Sequence, residues 1–172
     1  MISNVSLSTM KTHNGLLLLL AMTQPLLAEE EECIFDQDQQ RLEYKKLEKQ
    51  YIGSKYIEEE YKLIIPRGES QVHLHKGGCV HYGITIELIQ PKTDKYASEK
   101  TLFAEIVSLV QEYGQGMADS KYLLTLLDQK KWTDMSDNNG RYYFVHYEGV
   151  TAFEIYQRNE DSQTIVGVSF YN

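Results

Sequence analysis

Residues 70–89 read SQVHLHKGGCVHYGITIELI, and the register of this stretch decides the fold. Val72 and Leu74 are the apolar members of the first arm. Val80, Tyr82, Ile84, Ile86 and Leu88 are those of the second, alternating with Cys79, His81, Thr85 and Glu87. Side chains of a strand alternate between two faces, so a slip of one residue would turn an apolar set into water. Both sets therefore belong on one core, and even positions pair with even positions. A two-residue loop at Gly77-Gly78 breaks this rule, because it pairs Leu74 with His81. A three-residue loop over Lys76, Gly77 and Gly78 satisfies it, pairing His75 with Cys79, Leu74 with Val80, and His73 with His81. The stretch is thus expected to be an antiparallel hairpin, with His73, His75, Cys79 and His81 projecting from the non-core face.

The flanking segments extend the same architecture. Asp36–Gln50 (DQDQQRLEYKKLEKQ) has helix-forming composition with a thin apolar stripe of Leu42, Tyr44, Leu47 and Tyr51. Residues 56–65 (YIEEEYKLII) are expected to form one strand, stopped by Pro66-Arg67-Gly68. Ser98–Tyr113 is the clearest helix: Ser98 is a natural N-cap, and Leu102, Phe103, Ile106, Val107, Val110 and Tyr113 recur at three-and-four spacing. Gly114 stands where a left-handed terminator belongs. A shorter helix is expected over Ser120–Lys130, with Tyr122, Leu123, Leu126 and Leu127 buried. The last third, RYYFVHY (141–147), VTAFEIYQR (150–158) and QTIVGVSFY (163–171), reads as a meander rich in β-branched and aromatic residues, punctuated by Asn138-Asn139-Gly140, Glu148-Gly149 and residues 159–162. The fold class is α+β: an antiparallel sheet of about six strands, hairpin plus C-terminal meander, with two or three helices on one side.

The start of the chain reads as an export signal. Lys11 supplies the positive region, residues 16–22 (LLLLLAM) form a short apolar run, and Ala28 offers a small residue before the acidic residues 29–32. The run is too short to span a membrane. Met10, opening MKTHNG, is an alternative start. Cys33 lies five residues past Ala28, not directly after the cut, which argues against lipid anchoring there. Residues 1–28 are the signal peptide and 29–172 a single domain, placed in the periplasm or secreted. Without Lys11 the chain carries 16 basic and 25 acidic residues, a net charge of −9. Nucleic acid and anionic membrane surfaces are therefore poor partners, and a protein partner, a basic one above all, fits better.

Cys33 and Cys79 are the only cysteines. In an exported chain such a pair reads as one disulfide, closing a loop that constrains the unfolded state by about 4 kcal/mol. That removes the thiolate from a nucleophile and from a metal site built of Cys79 with the three imidazoles. The three histidines His73, His75 and His81 remain as an alternative ligand set for zinc or copper. Asp134–Gly140 has the acidic spacing of a calcium loop but lacks the glycine at its sixth place, and Val145 stands where a bidentate glutamate is needed. The glutamates at 29–32 and 58–60 read as solvated runs. No P-loop, G-x-S-x-G or H-E-x-x-H occurs. Thirteen tyrosines stand against five phenylalanines. In residues 141–147, Tyr143 and Tyr147 share one face while Tyr142, Phe144 and His146 share the other. Tyrosine favours protein interfaces, so the candidate binding face comprises His73, His75, His81, Tyr143 and Tyr147. The expectation is an exported, non-enzymatic protein-binding domain of the inhibitor or immunity type, with no catalytic residues, cofactor or bound metal. A periplasmic metal-binding protein is the second reading and an enzyme the third. Nothing in the sequence sets an oligomeric state.

Overall fold

Three side chains explain where the first helix ends up. Asp36 caps α1 (Gln37–Gln50) by accepting the backbone N–H groups of Asp38 and Gln39. Two turns on, Tyr44 is 1 % exposed, stacks on Tyr56 with ring centroids 4.5 Å apart, donates to the Tyr61 carbonyl and accepts from the Lys76 N–H. Gln40 clamps Gly78, its Nε2 donating to the carbonyl at 2.9 Å and its Oε1 accepting from the N–H. The structure is a computed structural model that describes residues 35–78 and 83–171. The expected signal peptide, Cys33, Cys79 and His81 lie outside the described residues.

The sheet is antiparallel throughout and has eight strands rather than about six. They are β1 (Lys55–Ile57), β2 (Lys62–Arg67), β3 (Ser70–Gly77), β4 (Gly83–Pro91), β5 (Trp132–Asp134), β6 (Gly140–Tyr147), β7 (Val150–Glu160) and β8 (Gln163–Tyr171). Their spatial order is β1-β2-β3-β4-β8-β7-β6-β5. Two four-strand meanders thus meet at the β4/β8 pair, joined through α2 (Glu99–Tyr113) and α3 (Ser120–Asp128). One row of the core face runs Leu63, Leu74, Ile86, Val168, Ile155, Tyr143 across six strands. The buried faces of all three helices join this core through Tyr44 and Leu47, Leu102, Ile106 and Leu109, and Leu123 and Leu126. The α+β reading with helices on one side is the observed architecture.

Four local expectations need correction. The strand expected over residues 56–65 is two strands folded back on each other, Tyr56 pairing with Leu63, around a 3-10 turn at Glu58–Glu60. Three adjacent glutamates have no apolar partner to alternate with, and Tyr61 takes a left-handed conformation (φ 46°) to reverse the chain. The hairpin keeps its parity but not its loop: Gly77 pairs with Gly83, Leu74 with Ile86, and His73 with Glu87 rather than with His81. His75 faces Thr85, not Cys79. The connection therefore runs through residues 78–82. It follows Gly77 (φ 133°), where a Cβ would lie 2.1 Å from Gln40 Oε1, so a side chain there would displace the clamp as well as strain the backbone. Gly114, finally, is right-handed (φ −67°); a Cβ there would meet the Val110 and Ala118 carbonyls at 2.4 and 2.8 Å, so close approach rather than φ demands glycine. α3 stops at Asp128, two residues earlier than expected, and Lys130 carries the left-handed turn.

A charged cluster at the margin of the core is tied down as well. Glu105, on α2, accepts from Arg67 at 3.0 Å, Lys95 at 2.7 Å and the Tyr96 hydroxyl at 3.2 Å, while Arg141 donates to the Tyr96 carbonyl. These contacts connect α2 to both meanders.

Candidate functional site

The residues expected to form one binding face are separated by the fold. Tyr143 is 1 % exposed in the core, edge-on to Phe103 and Trp132, so it presents nothing to a partner. Tyr147 lies at the end of the β6–β7 hairpin, on the helix side. His73 and His75 lie on β3 and point to the opposite face of the sheet. Alternation sets which residues share a face but not where a helix covers that face, and α2 covers the Tyr143 end through Phe103.

The face that bears the histidines carries no described helix. Two of its rows cross the sheet. One runs Lys62, His75, Thr85, Ser169, Glu154, Phe144, and the other Ile64, His73, Glu87, Gly167, Tyr156, Tyr142. Gly167 is the key to the second row. A Cβ there would fall 2.3 Å from the Tyr156 ring, so the missing side chain lets the ring lie across β8 and reach β4. Its hydroxyl donates to Glu87 at 2.8 Å, Arg158 donates to the same oxygen at 3.2 Å, and the guanidinium sits 5.3 Å over the ring. Burial, reinforced by the Glu87 carboxylate, pushes the Tyr156 phenol far above its usual range. Neither Glu87, Tyr156 nor Arg158 was singled out from sequence. The legible signal was a glycine inside the strand QTIVGVSFY, which marks a close approach over the backbone.

His73 and His75 are half-buried. Burial lowers both imidazoles from 6.5, with the Lys62 ammonium acting in the same sense and Glu87 opposing. A histidine whose folded value lies below its unfolded one contributes stability above the unfolded value, and loses it as pH falls through the folded one. Thermal melts between about pH 7.5 and pH 5 should therefore show Tm dropping on acidification, and dropping less in a His73→Gln/His75→Gln variant. An equal drop in both proteins would contradict this. Among the described residues no group of three or more His, Cys, Asp or Glu side chains is placed to hold a metal ion.

The β6–β7 end has a different character. Glu148 (φ 49°) and Gly149 (φ 84°) form a two-residue turn with both centres left-handed, the geometry whose twist matches its strands. A register shift after Val145 takes up one extra residue of β7, and β8 pairs with β7 only from Phe153 onward. The Tyr147–Val150 rung thus runs past the ladders of β5 and β8. Tyr147 is 45 % and Val150 69 % exposed. Tyr122 on α3 braces this end, edge-on to Tyr147 at 5.5 Å and 6.3 Å from Phe153. On the far side His146 Nε2 and Thr133 Oγ1 lie 3.0 Å apart. A hydrogen bond with Glu148, and its charge, raise the Tyr147 phenol.

Both sheet edges are blunt. β1 and β5 have three residues each, Pro66 interrupts the exposed part of β2, and Met135 and His146 hydrogen-bond around β5. Among the described residues no helix is long and apolar enough to cross a membrane. No family model, no curated protein and no solved structure matches the chain.

Proposed function

We propose that the chain is an exported, non-enzymatic protein-binding domain, periplasmic or secreted, that blocks a partner protein in the manner of an inhibitor or immunity protein. The observation that carries this reading is the β6–β7 end: a tight turn that projects past its neighbours, stiffened by Tyr122, with Tyr147 and Val150 exposed on either side of Glu148. Exposed aromatic and aliphatic side chains on a preordered turn lose little entropy on binding and fill pockets well. The carboxylate between them, on a chain of net charge −8, suits a cleft with basic side chains. The blunt edges disfavour strand addition as the docking mode.

The test compares immobilised wild-type chain with a Tyr147→Ala/Val150→Ser variant on extract of the compartment the chain is exported to. One protein retained by the wild type at low salt and lost at least about tenfold with the variant is expected, since two contact side chains account for more than 1.4 kcal/mol. Equal retention, or none by either, would count against the reading. Both substitutions replace exposed side chains, so the fold is expected to persist.

A further inference from the structure

The face of the sheet opposite the helices has a symmetry of its own. Four strands lie on each side of the β4/β8 line. In the row Lys62, His75, Thr85, Ser169, Glu154, Phe144, the Thr85 and Ser169 hydroxyls meet at that line, 2.9 Å apart. His75 stands one strand out on one side and Glu154 one strand out on the other. Among the described residues neither ring nitrogen of His75 has a hydrogen-bond partner, and Glu154 has no ion-pair partner, although Lys62, Glu60 and Glu87 surround His75 electrostatically. Glu154 is exposed on a face whose neighbouring large groups, Tyr142, Phe144 and Tyr156, are half-buried.

We infer that this face pairs two copies of the chain about a two-fold axis that runs along the strands at the β4/β8 line. The operation carries β3 onto β7 and keeps each row in place. His75 of one copy then faces Glu154 of the other, twice, and His73 faces Tyr156. Such an interface is isologous and closed, so it stops at a dimer. The six inner strands, about 4.8 Å apart and six to eleven residues long, offer a footprint of roughly 800 Å² per copy, which is what one side of a standard specific interface buries. Twisted sheets pack face to face at about 30°, which keeps the central rows in register. The polar groups are complementary: on the β3 side His75 offers a ring N–H with no partner among the described residues, on the β7 side Glu154 offers a carboxylate with no ion-pair partner among them, while Lys62 is held by Glu60 and Arg158 by Glu87 and Glu160. The dimer uses a surface separate from the β6–β7 turn, and both turns emerge at the same end of it.

Sedimentation equilibrium on the purified chain tests this directly. A dimer is expected. Glu154→Lys replaces the carboxylate that accepts from His75 with an ammonium donor, and His75→Glu sets carboxylate against carboxylate; each should raise the dimer Kd at least about tenfold, and the double swap should return it to within about threefold of wild type. Tyr142→Glu, at the rim of the same face, should weaken the dimer as well and serves if His75→Glu fails to fold. A monomeric wild type, or a dimer indifferent to Glu154→Lys, would overturn the inference. So would a wild-type chain that stays monomeric alone and buries this face against a different protein.

Discussion

Replacing Tyr44 by alanine should lower the unfolding free energy by about 4 kcal/mol, the range for emptying a fully buried aromatic site. The ring is buried to 1 % and stacked on Tyr56, and its hydroxyl joins the Tyr61 carbonyl to the Lys76 N–H, so one side chain ties α1 to the start of β2 and the end of β3. Tyr44→Phe keeps the ring and loses only the hydroxyl. It leaves a part-buried donor and acceptor without their partner, for about 1–3 kcal/mol. Urea denaturation of the three proteins checks both figures. A Tyr44→Ala loss under about 1 kcal/mol would mean that α1 is not anchored through this residue.

The hydroxyl of Tyr44 also marks the limit of what the sequence disclosed. Its ring was legible as part of a thin helical stripe, because three-and-four spacing is a local property. The backbone groups it serves were not, because Tyr61 and Lys76 are brought there by a turn of three glutamates and by a hairpin of unexpected loop length. The same division runs through the fold. Capped helices and alternating strands announced α1, α2, α3, β3, β4 and the C-terminal meander, and face parity put His73 and His75 off the core. Loop length does not follow from parity: shifting β4 by six residues preserves every inside and outside assignment, and the contact that holds the start of the connection, Gln40 on Gly78, joins residues 38 apart in the chain. Two short edge strands, three residues each, lie below the length at which a pattern exists. For the site, Tyr147 and the Glu148-Gly149 turn were readable, whereas Glu87, Tyr156 and Arg158 meet only because Gly167 leaves room across a strand.

The second large effect concerns Cys33 and Cys79, both outside the described residues. We propose that they are joined in the mature chain. What supports this is the clamp on their neighbours: Gln40, on the first helix after Cys33, holds both backbone groups of Gly78, the residue before Cys79. Closing the loop between residues 33 and 79 constrains the unfolded chain by about 4 kcal/mol, so Cys33→Ser/Cys79→Ser should lose that much stability under oxidising conditions. Under reducing conditions the wild type should fall to the level of the variant. Wild type and variant unfolding at the same denaturant concentration in oxidising buffer would rule the bond out.

An inhibitor of the kind proposed has to leave the cytoplasm and hold its hairpin in an oxidised, fixed form. Intact mass spectrometry of the chain recovered from its native host, alkylated before and after reduction, reads both properties at once. The account predicts a mature protein beginning at Glu29 that takes up no alkylating group until it is reduced, and then two. A chain that keeps residues 1–28 and carries two reactive thiols as isolated would contradict it.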